Sequence, residues 1–162
     1  MSISILKNYK TPQYLELKQL VFSDTFAWLY QDSDTGMPFY CHSLLTRPEG
    51  LYSEACSQYS QFGMSVVHEI LQQNNIKYKF FLRSAFNCVH PDNDVQLSEP
   101  HVDHDFPHIN VIIYLTNSGG KTYCEDEFHN PKEDDVILLT GEHWMERPQV
   151  GRRIISVNTL YT

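Results

Sequence analysis

The sequence predicts a mostly β fold, a double-stranded β-helix of the jelly-roll or cupin-like type, with N-terminal helices packed on one sheet. Two amphipathic helical patterns come first, and five short β-type runs follow residue 75 with no helical pattern between them. The 162 residues contain no linker or repeat. We therefore expect a single domain over 1–162, in which 1–75 supply helical support and a possible lid and 76–162 form the jelly-roll core.

Two segments carry the helical patterns. The first starts after Thr11, a capping residue followed by a proline, and its apolar positions are Leu15, Leu17, Leu20 and Val21. The second ends before Asn74, and its apolar positions are Phe62, Val66, Val67, Ile70 and Leu71. The polar and aromatic stretch between them, within 31–60, is either a functional lid or irregular covering structure.

The five β-type runs are separated by turn sequences. They are KYKFFLRSAFNCV, INVIIYLT, KTYCE, DVILLT and RRIISVNTLY, and the turns between them are PDND, NSGG, NPKEDD and RPQVG. Such a succession predicts an antiparallel sheet system, because no crossover helix is available to join parallel strands.

Charge and composition exclude several classes of partner. The net charge of −8 and the absence of a basic cluster argue against nucleic acid as a partner, which leaves a small molecule or a peptide. No apolar stretch approaches the length of a transmembrane helix, and no signal-peptide pattern begins the chain, so we expect a cytoplasmic protein without membrane contact. The four cysteines include no CxxC pair and are expected to be reduced.

A cluster of histidines and aspartates, PHVDHDFPH over 100–108, raises the question of a metal site. In an extended strand His101 and Asp103 would share one face, and His143, past the end of the DVILLT run, offers a third ligand. Two imidazoles and one carboxylate on one face of an octahedral ion leave open positions, the arrangement of non-haem Fe(II) oxygenases. The alternative is that these are polar residues near strand ends.

Other polar side chains in the same region are expected to have different roles. His90 and Asp92 form a second HxD, but Pro91 and the turn sequence around it predict loop positions. The remaining members of the cluster are interpreted as solvated residues or residues that support the ligands: His104, Asp105 and His108.

The ordered motifs HVD, INVIIYLTNSGGKTYCE, DDVILLTGEHWMERP and GRRIISVN resemble those of Fe(II)- and 2-oxoglutarate-dependent oxygenases, in particular prolyl-4-hydroxylase-like members of phage and bacterial type. The resemblance covers about residues 76–162 and implies a single oxygenase domain that uses Fe(II), 2-oxoglutarate and O2. It implies that His101, Asp103 and His143 are the catalytic metal ligands. Hydroxylation of a peptidyl residue or a small metabolite, with release of succinate and CO2, would follow.

The resemblance also implies a basic residue that binds the distal carboxylate of 2-oxoglutarate, and two arginines compete for that role. Arg153 completes a GxR pattern with Gly151, ten residues after His143. Strand register favours Arg152 instead, because its face of the strand would also carry the small polar Ser156.

Three further residues are cavity candidates. Tyr114 is interpreted either as a contact of the co-substrate carboxylate or as a core tyrosine. Arg83 and Asn87 alternate onto one strand face and are candidates for the substrate pocket, with an ordinary salt bridge and hydrogen bond as the alternative. The alternative function for the whole chain is a cupin-like metal-binding or structural module without oxygenase turnover. The sequence does not predict the oligomeric state.

Overall fold

The structure is a computed structural model that describes residues 1–32, 37–46, 52–93 and 96–162. Two helices, α1 (Pro12–Val21) and α2 (Ser60–Gln73), lie among ten strands. The strands are β1 (Ile3–Leu6), β2 (Leu29–Gln31), β3 (Phe39–Ser43), β4 (Phe80–Val89), β5 (His108–Tyr114), β6 (Thr122–Cys124), β7 (Glu127–His129), β8 (Val136–Leu139), β9 (His143–Met145) and β10 (Arg153–Tyr161).

Two antiparallel sheets form the body of the protein. The larger has the strand order β1-β8-β5-β10-β4-β3-β2, and the smaller has the order β7-β6-β9. This mostly β architecture, with two helices, is consistent with a jelly roll. Each of the five runs predicted after residue 75 contains a strand, and two short strands, β7 and β9, complete the smaller sheet.

Both helices share a hydrophobic core with one face of the larger sheet. The helices place buried side chains such as Leu17 and Val66 in this core. Because side chains alternate along a strand, each central strand contributes every second residue, for example Val111 and Ile113 of β5. Burial of these apolar side chains stabilises the fold chiefly by removing apolar area from water.

The opposite face of the larger sheet carries a second core, directed toward the smaller sheet. The intervening residues of the same strands enter it, including Ile112 of β5 and Ile155 of β10, and Cys124 of β6 joins them. Two cores on the two faces explain why the central strands are apolar at nearly every position instead of alternating with polar residues.

Helix α1 begins as its sequence indicates. The Thr11 side chain accepts a hydrogen bond from the backbone N–H of Tyr14, and Pro12 occupies the first helical position. Helix α2 ends at Gln73 with Asn74 as its C-cap, and Asn75 follows with φ of 58°, a conformation that asparagine tolerates better than most residues. No helix among the described residues has the length and apolarity to span a membrane.

The expectation for residues 1–75 is wrong in one respect. Besides the helices, this part supplies β1, β2 and β3 to the larger sheet, and β3 pairs with β4 in the stretch expected to be a lid or irregular covering. The alternation of side chains along β3 was not recognised in the sequence, because this stretch mixes polar and aromatic residues. Residues 33–36 and 47–51 of that stretch, and 94–95, lie outside the described residues, so a lid there stays a prediction.

Candidate metal centre and cavity

Backbone pairing brings together the three side chains predicted as metal ligands. His101 and His143 form an antiparallel bridge in which each backbone N–H donates to the other carbonyl, at 3.1 and 3.0 Å. Asp103 lies two residues further, in a bend instead of the regular strand that the sequence suggested. The bridge fixes the distant histidine beside the HxD segment, although His143 follows His101 by 42 positions in the sequence.

The three side chains converge on one point. One ligand atom from each of His101, Asp103 and His143 lies within 4.8 Å of the other two. Nε2 of His143 is 3.8 Å from Oδ2 of Asp103, and the two imidazole rings have centroids 4.6 Å apart. Within the described parts of the chain this is the one such cluster of three potential ligands.

Hydrogen bonds to the backbone fix the orientation of both imidazoles. Nδ1 of His101 donates to the Glu99 carbonyl at 3.0 Å, and Nδ1 of His143 donates to the Gly141 carbonyl at 3.1 Å. Since a carbonyl can only accept, each neutral ring carries its proton on Nδ1 and presents the lone pair of Nε2. This is how metal-binding histidines are held in position.

Burial keeps His143 in the form that a metal requires. Desolvation lowers its pKa from the ordinary value, and the opposing attraction of Asp103 does not cancel this effect. The neutral imidazole therefore predominates near pH 7, with Nε2 unprotonated. The Asp103 side chain is only 4% exposed, so the carboxylate is largely removed from water as well.

A cavity of about 520 Å³ opens from this cluster between the two sheets. Its wall includes all three potential ligands, together with Arg153, Asn87 and Arg83. A cavity of this volume is within the range of small-molecule sites, which combine apolar walls with a few fixed polar groups.

The strand register contradicts the preference for Arg152. Arg153 is 1% exposed and lines the cavity with Ile155 and Val157, whereas Arg152 is exposed to solvent. β10 pairs regularly with β4 from Arg153 to Thr159, and this pairing directs Arg153, Ile155 and Val157 toward the cavity. The GxR spacing therefore gave the correct orientation, and the face that carries Arg152 is directed away from the cavity.

Of the two other co-substrate candidates, Ser156 lies on the face of β10 away from the cavity, whereas Tyr114 pairs with Ile155 on the cavity face, so its contact with 2-oxoglutarate stays a prediction. Ser156 is buried on the other face of β10, where its hydroxyl accepts from Nδ2 of Asn158 at 2.9 Å. The Tyr114 hydroxyl pairs with that of Thr122 at 2.5 Å in the core between the sheets. Burial raises the pKa of Tyr114 to about 12, as expected for a core tyrosine.

Arg153 is a buried cation with unused hydrogen-bonding capacity. Its Nη1 donates to the Glu146 carbonyl at 2.7 Å, but its buried Nε has no partner among the described residues. Desolvation lowers the pKa of this guanidinium, although arginine remains charged in proteins. A buried charge without a counter-ion is costly, which makes this position attractive to an anion.

Asn87 and Arg83 both project into the cavity from β4, as their alternation predicted. Asn87 pairs with Ile155 and thus lies diagonally across from Arg153, and its buried Oδ1 also has no described partner. Arg83 forms an ion pair with Asp103, with Nη1 3.9 Å from Oδ1. These contacts place both residues in the cavity wall without identifying a substrate.

The other candidates of the histidine-rich region are not members of the ligand cluster. His90 and Asp92 lie in a loop, as predicted. His104 stacks on Phe106 with centroids 4.6 Å apart, and Asp105 is exposed. His108 was expected in the loop before β5, but it is the first residue of that strand, which therefore begins one position earlier than predicted.

One wall of the cavity was missed at the sequence level. Its residues come from β3 and the positions around it and recur at every second residue: Met37, Phe39, Cys41, Ser43 and Leu45. That period of two is present in the sequence and would have indicated a strand with one face toward a cavity. A second omission is Glu146, whose carbonyl anchors Arg153.

Solved structures share this fold, although no protein-family model and no curated protein matches the sequence. A 2OG-Fe(II) oxygenase family oxidoreductase from Burkholderia pseudomallei aligns over 99% of this chain and 85% of its own, with a TM-score of 0.75 and 11% identity. The chain has the fold of that oxygenase.

Two further structures extend the likeness. A prolyl-4-hydroxylase from Pseudomonas putida aligns over 99% of this chain and 92% of its own, with a TM-score of 0.57 and 13% identity. The non-haem alpha-ketoglutarate-dependent epimerase SnoN from nogalamycin biosynthesis aligns over 98% and 77%, with a TM-score of 0.58 and 8% identity. At these identities the likeness concerns the fold, so the chemistry has to be argued from the site.

Proposed function

We propose that the protein is a non-haem Fe(II)- and 2-oxoglutarate-dependent dioxygenase. It hydroxylates a peptidyl residue of prolyl type or a small metabolite and releases succinate and CO2. One observation carries the proposal: a cluster of two imidazoles and one carboxylate opens into the same cavity as a buried arginine that forms no ion pair within the described residues.

The donor set fits Fe(II). Nitrogen from His101 and His143 with oxygen from Asp103 is the two-histidine, one-carboxylate set of non-haem iron oxygenases, which leaves three positions for other ligands. Both imidazoles already present Nε2, because their Nδ1 protons are donated to carbonyls. A site prepared in this way loses little side-chain freedom when the ion binds.

The cavity also fits 2-oxoglutarate. This dianion has a 2-oxo acid group that chelates iron and a second carboxylate at the other end of its five-carbon chain. Arg153, with its unpartnered Nε in the cavity wall, is suited to bind that second carboxylate with charge-assisted hydrogen bonds. Asn87 lies beside it and offers a further polar contact.

In this mechanism the chain's residues bind, orient and exclude water. His101, Asp103 and His143 hold the iron, which when bound supplies the reaction with O2 and the co-substrate. Arg153 sets the direction of 2-oxoglutarate within the cavity. The apolar residues of the wall, among them Ile155, keep water away from the reacting groups.

The substrate is a small molecule or a peptide. The net charge of −8 disfavours nucleic acid. The wall formed by Met37, Phe39 and Cys41 lies two strands across the sheet from Arg153 and provides apolar contact for a substrate side chain.

The rival function is a cupin-like metal-binding or structural module without turnover. The experiment that separates them is the conversion of 2-oxoglutarate to succinate with Fe(II) and O2, in the wild type and in His101→Ala and Asp103→Ala. The dioxygenase forms succinate even without its primary substrate, at a slow rate, and both variants lose this activity. A folded wild type that binds iron but forms no succinate would support the module instead.

A further inference from the structure

We propose that Arg83 is a positioning residue that restrains Asp103 to bind the metal through one oxygen, Oδ2. The inference rests on the proposed iron site and adds a role that the ligand set does not include. It concerns how many coordination positions remain open once the ion is bound.

The two oxygens of Asp103 face different partners. Oδ2 is 3.8 Å from Nε2 of His143, on the side where the ligand atoms converge, whereas Oδ1 is 3.9 Å from Nη1 of Arg83. The carboxylate is therefore held between an imidazole and a guanidinium. Rotation that brought both oxygens to the metal would separate Oδ1 from Arg83 and cost the ion pair.

Arg83 is anchored in the larger sheet. It lies within β4, and its register partner on β10 is Thr159, next to a shift in the β4–β10 register. The Thr159 hydroxyl donates to Oδ1 of Asn110 at 2.8 Å, which ties the neighbouring strand β5 to the same point. The Arg83 side chain is 15% exposed, so solvent screens its interaction with Asp103 only partly.

Arg83 and Arg153 cannot bind the same carboxylate. Arg153 and Thr159 are six residues apart on β10, which corresponds to roughly 20 Å along a strand. Arg153 therefore serves the far part of the cavity, and Arg83 acts beside the metal ligands.

The restraint has two consequences of opposite sign. A guanidinium beside the site repels a divalent cation, so its removal strengthens metal binding, and an unrestrained carboxylate that binds with both oxygens strengthens it further. The same removal weakens 2-oxoglutarate binding, because the dianion loses an attractive charge and one coordination position is occupied. A residue with only a structural role would weaken both.

The test uses the full chain loaded with Co²⁺, whose visible absorption responds to the set and arrangement of its ligands. We expect Arg83→Gln to bind Co²⁺ about fivefold or more tightly, with a visible spectrum altered by the changed ligand set, and to bind 2-oxoglutarate at least about tenfold more weakly. Arg83→Lys retains the charge and should return both affinities toward wild-type values. Arg152→Gln removes the same charge from an exposed position and should change neither.

Arg83→Met removes the charge with similar length and replaces Arg83→Gln if that variant does not fold. Weaker or unchanged Co²⁺ binding in a folded Arg83→Gln or Arg83→Met, or an unchanged absorption spectrum, overturns the role of Arg83 and leaves the proposed function intact. Failure of the wild type to bind Co²⁺ overturns both.

Discussion

Two sequence arguments disagreed about Arg153. The GxR spacing correctly predicted that its side chain enters the cavity, whereas the strand register assumed from the sequence favoured Arg152. Both arginines follow Gly151, and the ERPQVG connection before them has no regular period from which to count. The pairing of Arg153 with Val89 settles the orientation. The two arginines differ in burial: Arg152 is exposed, whereas the Arg153 guanidinium is buried and its Nε–H has no partner among the described residues.

We predict that Arg153→Gln weakens 2-oxoglutarate binding by tens of fold or more, since a charge-assisted bidentate contact is worth about 2–3 kcal/mol. Metal affinity should change little. The measurement is a calorimetric titration of the Co²⁺-loaded protein, with Arg152→Gln as the control of equal charge change. Equal loss in both variants would show that net charge, not a specific contact, governs the affinity.

The three potential metal ligands could be selected from the sequence, because HxD and a later histidine carry their chemistry in their residue types. The convergence of these three side chains in space could not be predicted, since it depends on the bridge between His101 and His143. The partners of Arg83 were also beyond reach, because an ion pair with Asp103 depends on a bend that no local pattern indicates.

At the scale of elements, the NSGG turn supports the anchor of Arg153. Gly120 has φ of 83°, and a Cβ there would lie 2.5 Å from the carbonyl oxygen of Arg147. The turn therefore packs directly on the backbone that follows Glu146, whose carbonyl accepts from Arg153. Two further bonds hold the Glu146 side chain, from Lys121 N–H and the Tyr123 hydroxyl.

We predict that Gly120→Ala lowers the free energy of unfolding by about 2–4 kcal/mol, because left-handed strain and the backbone collision add. Gly151→Ala is the matched control: its φ is 61°, but a Cβ there meets nothing within 4 Å, so only the strain of about 1 kcal/mol applies. Chemical denaturation of both variants measures the difference. Equal losses would mean that close packing at Gly120 contributes nothing.

Length explains three of the strands that the sequence did not reveal. Strands β2, β7 and β9 have three residues each, too short for a periodic signal, and they exist because a neighbouring strand pairs with them. The five longer runs were predictable because their apolar character continues through both cores.

At the scale of the whole molecule, Asp134 connects the N-terminal segment to the start of β8. Its carboxylate accepts from Lys10, Lys18 and the Tyr14 hydroxyl. Burial alone would raise the pKa of Asp134, but these bonds lower it to about 2. A lowered folded-state pKa means that the stabilisation is complete above the unfolded value near 4 and is lost as the pH falls toward 2.

We predict that Asp134→Asn lowers the free energy of unfolding at pH 7 by about 1–2 kcal/mol, allowing for solvent screening. The difference from the wild type should shrink as the pH falls below 4 and disappear only below about pH 2. Denaturation at several pH values measures it, with the exposed Asp126→Asn as control. A difference that does not depend on pH would contradict the assigned charge interaction.

The fold class was accessible from the sequence at this largest scale, since two helical patterns followed by β runs leave few ways to bury every apolar face. The contribution of residues 1–75 to the larger sheet was not, because strand partners so distant in sequence leave no local trace. β1, for example, pairs with β8 across more than a hundred residues.

The central claim is that one cavity holds Fe(II) and 2-oxoglutarate together. The most direct measurement is an anaerobic titration of metal-free protein with Fe(II) and then 2-oxoglutarate, monitoring the visible charge-transfer absorption of the iron chelate. We predict a band that saturates at one equivalent and is absent in Asp103→Ala. Folded wild-type protein that develops no band would contradict the account.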